Sequence, residues 1–178
     1  MSPPPLAAVA DQRFGIFHGV VVDVVDPKQL NQVKVKVEQY AAGYEEWARV
    51  AQSYAGDGFG STWIPEVDSE VLVAFAQGDM RIPYVLACLH SEKEPPPVAR
   101  TASEDVKKVI TPKGSELSFD EANGTIDLKT KSGATIRLDE TAGSITLESQ
   151  QKIELKAPQI TIEASAKVTV SGAQVAIN

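Results

Sequence analysis

From Leu117 to the C-terminus, apolar residues fall in pairs two positions apart: Leu117/Phe119, Ile126/Leu128, Ile136/Leu138, Ile145/Leu147, Ile153/Leu155, Ile160/Ile162, Val168/Val170 and Val175/Ile177. The residues between and beside them are mostly Thr, Ser, Lys, Glu, Asp, Gln, Ala and Gly. Alternation with period two gives an extended strand one apolar and one wet face. Successive pairs begin 9, 10, 9, 8, 7, 8 and 7 residues apart, so the pattern predicts eight short strands joined by tight turns. That is a repeat architecture. The stretch 114–121 returns nineteen residues later as 133–140, and 123–128 returns as 142–147, with glycines where tight turns need them.

Eight strands stacked about 4.8 Å apart make a ribbon roughly 38 Å long. Its apolar face would exceed what a soluble monomer normally leaves bare. After Tyr84 the one aromatic residue is Phe119, and beyond residue 110 no stretch has the 3.6-residue apolar period of a covering helix. Three copies related by a threefold axis would close the ribbons into a prism, with the eight pairs as its core. A single-chain sandwich or β-solenoid is the alternative; sandwich cores usually include several aromatics, and this segment has only Phe119.

The first half of the chain has a different texture. Residues 1–12 read as a proline-marked N-terminal arm. Five β-branched stretches follow, at 14–25, 32–38, 46–51, 70–75 and 84–89, and the region 14–89 that contains them holds most of the aromatics. The second is the clearest, with Val33, Val35 and Val37 alternating against Lys34, Lys36 and Glu38. Five strands in about 80 residues without a helix predict a small closed or nearly closed barrel over 13–91. Residues 92–110, with Pro95-Pro96-Pro97, read as a stiff linker, and 111–178 as the prism.

Composition narrows the function classes. Formal net charge is -7 without a lysine/arginine cluster, which argues against nucleic-acid binding through a basic surface. No run of 18 apolar residues is present, and the N-terminus lacks the basic start and apolar core of a signal peptide. The single cysteine, Cys88, reads as a small buried hydrophobe. His18 and His90 with one cysteine are too few for an ordinary metal cluster, and His18 reads as a barrel-surface residue. Acidic pairs such as Glu45/Glu46, Asp120/Glu121 and Asp139/Glu140 fall in or beside turns, where solvated carboxylates are the default. The stretch 54–63 is glycine-rich but lacks the Gly-Lys-Ser/Thr ending of a phosphate loop, so it reads as a flexible barrel loop. Trp47, Trp63, Phe59 and Tyr84 are candidates for a sugar- or base-stacking platform, with core packing or a protein contact as the favoured reading. No catalytic residue, metal site or cofactor is assigned.

The stretches 17–27, 33–37, 63–75, 78–79 and 82–86 together resemble the OB-fold module of the baseplate assembly protein V family. These are the central spike proteins of contractile phage tails and related injection machines, and type VI secretion VgrG spikes share the module. The tail 111–178 is similar to the family's trimeric β-helix. Two departures stand out: Asn31-Gln32-Val33 replaces a frequent Gly-Arg-Val, and Val67-Asp68-Ser69-Glu70 replaces Val-Gly-Asp-Glu. Some short spikes end in a His-x-His iron site, whereas this chain has no histidine after His90.

The resemblance implies an all-β protein: a five-stranded OB barrel followed by an intertwined trimeric β-helix. It further implies a non-enzymatic homotrimeric spike that docks on a baseplate hub protein and the tail tube and carries a PAAR-type tip protein. Such a spike touches the target cell membrane transiently, with no nucleic-acid partner. It would be assembled in the bacterial cytoplasm, as part of a phage tail or a phage-tail-like particle that is in some systems released. After Lys167 the chain is uncharged to its end, so Val175, Ala176, Ile177 and Asn178 are the expected contacts to the tip protein. The competing class is a carbohydrate-binding or adhesin-like β-helical module on a tail fibre or cell surface. An inserted wall-degrading domain does not fit, because only about twenty residues separate barrel and prism.

Overall fold

Seven fully buried valines account for the shape of the first unit. Val21, Val33, Val35, Val37, Val71, Val73 and Val85 are each at most 1 % exposed, joined in the core by Ala48 and Phe75. In the computed structural model, which describes residues 12–38, 44–98 and 106–176, these residues line a closed five-stranded barrel. Its strands are β1 (Ile16–Asp23), β2 (Gln32–Lys36), β3 (Glu45–Val50), β6 (Glu70–Phe75) and β7 (Pro83–Cys88). A minor hairpin, β4 (Ala55–Gly56) with β5 (Phe59–Gly60), interrupts the connection from β3 to β6. The barrel order is β1-β2-β3-β7-β6, closing back on β1. All its pairings are antiparallel except the short parallel contact of β3 with β7. Every barrel strand expected from the sequence is present, with its ends within two residues of the expected bounds.

A barrel this narrow leaves no room for large inward side chains. Gly19 faces inward on β1, where an added Cβ would stand 2.8 Å from Val73 Cγ2 and 3.3 Å from the Lys36 carbonyl. At one rim Tyr44 closes the core, its ring edge-on to Phe75 at 5.7 Å and its hydroxyl donating to the Met80 carbonyl at 2.5 Å. Burial, with Glu46 and Asp79 nearby, pushes that phenol up to about 12.

The chain divides into two compact units, Met1–Pro96 and Pro97–Asn178. The second holds one antiparallel sheet in sequence order: β8 (Val106–Ile110), β9 (Glu116–Asp120), β10 (Thr125–Lys129), β11 (Thr135–Asp139) and β12 (Ser144–Glu148). The nineteen-residue repeat is structural. Thr111 and Thr130 close equivalent turns, accepting at their carbonyls from Gly114 and Gly133 and at their hydroxyls from the amides of Ser115 and Ala134. Gly114 (φ 85°) and Gly133 (φ 90°) take the left-handed conformation those turns need. Asp120 and Asp139 cap the alternate turns through the amides of Asn123 and Ala142.

Four expectations need correction. The linker expected over 92–110 gives up its last five residues to β8, whose Lys107-Lys108 interrupts the apolar alternation that marked the other strands. The pairs Ile153/Leu155, Ile160/Ile162 and Val168/Val170, with Val175, lie in stretches that carry no strand; Ile177 and Asn178 fall outside the described residues, as do 1–11 of the expected arm. Pairs 9 or 10 residues apart leave room for five-residue strands and glycine-bearing turns. Pairs 7 or 8 apart do not, and 149–176 offers a single glycine, Gly172, for a left-handed turn. Cys88 is exposed rather than buried, at the last position of β7, where Leu86 and Ala87 before it are exposed as well. The stretch 54–63 is a built hairpin: the Gln52 side chain clamps the Trp63 backbone through two 3.1 Å hydrogen bonds, and the Ser61 amide bonds the Tyr54 carbonyl.

Candidate assembly interface

Register determines which side chains share a face of the β8–β12 sheet. Val109, Leu117, Leu128, Ile136 and Leu147 stand opposite one another in a row, and Lys107, Phe119, Ile126, Leu138 and Ile145 form a second row on the same face. The eight members from β9 to β12 are the first four sequence pairs. All are 37–74 % exposed, and exposure is greatest on the edge strand β12, at Ile145 and Leu147. Beyond the sheet Ile153, Leu155, Ile160, Ile162, Val168, Val170 and Val175 are 49–71 % exposed, and Ala176 is exposed as well. The unit therefore has an apolar face and an extended apolar tract that its own chain leaves uncovered. Aliphatic surface in that amount is a strong drive to association.

The opposite face is polar and closely knit. Its central row runs Lys108, Ser118, Asp127, Arg137 and Thr146, with Ser118 and Asp127 buried. Asp127 accepts from Arg137 Nε and Nη2 at 2.7 and 2.9 Å, and Lys129 Nζ lies 3.3 Å away. The Arg137 guanidinium holds the Asp127 carboxyl below the usual carboxylate range. Lys108 does the same to Glu116 across a 3.0 Å ion pair. These cross-strand pairs lock the register that keeps the paired apolar side chains of β9 to β12 on the other face.

The remaining candidates take structural roles. Asp120 and Asp139 hold turns, and Glu45 pairs with Lys34 at 3.0 Å. His18 is exposed and bonds Glu70 Oε2 at 2.9 Å. The four aromatics do not meet as one platform: Phe59 stacks on Tyr54, Tyr84 lies under Arg49, Trp47 is half-buried on β3, and Trp63 is exposed. Among the described residues no three His, Cys, Asp or Glu side chains converge as a metal site would require.

Residues 17–90 match the type VI secretion system/phage-baseplate injector OB domain, and this match spans all five barrel strands. The barrel is thus similar to the OB domain shared by baseplate and spike proteins. The backbone agrees with that resemblance at both departures from the family pattern. Asn31 (φ 56°) and Asp68 (φ 73°) hold left-handed conformations at the positions where the family has glycine. The type VI secretion system spike protein VgrG4b of Pseudomonas aeruginosa is 36% identical over 84 residues, 44% of this chain and 10% of that protein. Spike protein VgrG1b of the same organism is 26% identical over 138 residues, 73% of this chain and 18% of the relative, so this match reaches beyond the barrel. Spike protein VgrG3 of Vibrio cholerae is 32% identical over 96 residues, 49% of this chain and 9% of its own length. The chain thus spans about a tenth to a fifth of the length of these family members.

The interface had one element that sequence reading missed. Val109 extends the Leu117 row onto β8, and the signal for it was its register opposite Leu117 rather than any alternation of its own.

Proposed function

We propose that this chain is a homotrimeric central spike of a contractile injection apparatus. One observation carries the reading: in a chain whose barrel is an injector OB domain, a polar-locked sheet presents two rows of aliphatic side chains, each more than a third exposed. Two further copies of the same face are the cover that fits best, because the rows are self-complementary and lack charge from β9 to β12. Residues 149–176, too poor in glycine to fold back on themselves, continue the trimer as extended strands paired between chains. The OB barrels dock on the baseplate hub and tail tube. The uncharged end, with Val175, Ala176, Ile177 and Asn178, receives a tip protein, and the assembly pierces the target envelope. An axial load on such a prism is shared among many interstrand hydrogen bonds, and interleaved chains unfold slowly, giving kinetic stability. The role is structural and needs no cofactor.

Electron microscopy of the purified protein tests the reading. Short tapered rods with a wider head are expected, and isolated round particles the size of one barrel would reject it. Removal of residues 168–178 abolishes binding of the tip protein on this account, whereas unchanged binding would place the tip contact elsewhere.

A further inference from the structure

The two lateral margins of the β8–β12 sheet carry opposite charge. Successive turns of the meander alternate between them, those after β8 and β10 on one margin and those after β9 and β11 on the other. Residues 120–124 and 139–143 contain Asp120, Glu121, Asp139 and Glu140 and no lysine or arginine. Residues 110–115 and 129–134 contain Lys113, Lys129 and Lys131 and no carboxylate. The turns on each margin stack on one another. A Cβ added at Gly124 would stand 3.4 Å from Glu140 Cβ, and one at Gly114 would stand 3.7 Å from Lys131 Cβ.

Part of that charge is engaged within the chain. Asp120 and Asp139 cap their own turns, and Lys129 lies 3.3 Å from Asp127. Lys107 Nζ stands 3.9 Å from Glu121 on the acidic margin. Behind the basic margin Glu116 is held by Lys108 at 3.0 Å, and Glu148 lies past both basic turns at the end of β12. Lys113, Lys131 and Glu140 are exposed and have no ion pair among the described residues. Along the acidic margin a groove opens beside Phe119, Ile126, Leu138 and Ile145. A lysine suits it, because the stem can lie on aliphatic surface while the ammonium reaches a carboxylate.

The levels of the turns match as well. Lys113, Glu121, Lys131 and Glu140 come one strand further along the stack at each step, about 4.8 Å. Where two copies stand side by side with their stacks in the same direction, the basic margin of one meets the acidic margin of the next. The four positions then alternate in sign along the seam. A copy turned end over end would instead set carboxylates beside carboxylates and lysines beside lysines. Exposed ion pairs add little affinity, whereas facing like charges exclude a partner.

We infer that the two margins are the halves of one contact between copies of this chain, and that they admit a neighbour only with its strands stacked in the same direction. All β8 ends, and with them the chains leading from the barrels, then lie at one end. The inference deepens the spike reading, on which it rests for the number of copies, and adds their common direction.

Carbodiimide coupling of the unaltered full chain reads the contact without a substitution. The margins of one sheet are roughly 17 Å apart, the length of a five-residue strand, so a zero-length amide between them must join two chains. Tandem mass spectrometry should find Lys113 and Lys131 joined to Glu121 and Glu140. Absence of those links, in a protein that sediments as a trimer, overturns the inference. Charge reversal gives a second reading. Lys113→Glu/Lys131→Glu and Glu121→Lys/Glu140→Lys should each lower the urea concentration that dissociates the trimer. All four substitutions together should restore it, and the cross-links between the same positions with it. Glu66→Lys/Glu92→Lys, at exposed sites in the barrel unit, should leave it unchanged. Midpoints that ignore both pairs, or a fourfold exchange no better than either pair, contradict the inference. If a double variant fails to fold, the cross-links of the unaltered protein and the fourfold exchange decide. A single-chain species from the unaltered protein sinks the spike reading itself, so the two failures are told apart.

Discussion

Individual residues carry constraints that are open to direct measurement. Gly19 is the tightest, since an added methyl meets Val73 and the Lys36 carbonyl at once. Gly19→Ala should cost the barrel about 1–3 kcal/mol, read by denaturant unfolding. Asn31→Gly and Asp68→Gly should act the other way, each stabilising by up to about 1 kcal/mol through relief of left-handed backbone strain. Asp127 gives the clearest pH dependence. Its carboxyl is held down by Arg137, so its folded value lies below the unfolded value near 3.9. The stabilisation is therefore full above about pH 5 and is lost as pH falls through the folded value. Glu116 and Asp120 shift in the same direction, through Lys108 and Asn123 respectively. In melts compared between pH 7 and pH 3, Asp127→Asn should lower stability at pH 7 and flatten the acid-induced loss.

At the scale of elements, the chain uses one alternation in two ways. Where pairs are 9 or 10 residues apart, hairpins form within the chain, held by the Thr-Gly turn at 130–133 and the Asp-capped turns at 120–123 and 139–142. Where pairs are 7 or 8 apart the same alternation continues without hairpins. Amides between 153 and 170 should accordingly be protected from hydrogen exchange in the assembled protein, although the isolated chain offers them no strand. Replacing Ile136 by lysine in the apolar row should remove that protection and the oligomer together, whereas Thr146→Lys on the polar face should preserve both. Legibility followed the same physics. Val33-Val35-Val37 announced β2, and the paired aliphatics announced β9 to β12, because burial on one side leaves a period-two mark. β8 left none, since Lys107 stands in the apolar row beside Phe119 and only register reveals it. Cys88 misled because the apolar run 84–89 outlasts the buried part of β7, whose last three residues are exposed.

For the molecule as a whole, the two units divide the physical tasks. The barrel is complete, with a closed sheet and a sealed valine core, and needs no second copy to hide it. The second unit has its polar face satisfied internally and its apolar face open, the reverse of a domain designed to stand alone. That asymmetry motivates the proposed trimeric spike, in which the barrel would be the attachment module. Sedimentation equilibrium of the full chain at micromolar concentration tests it most directly. The account predicts a single species of about 57 kDa, three times the 19.1 kDa chain. A stable species at 19.1 kDa, with its aliphatic rows in water, would contradict it.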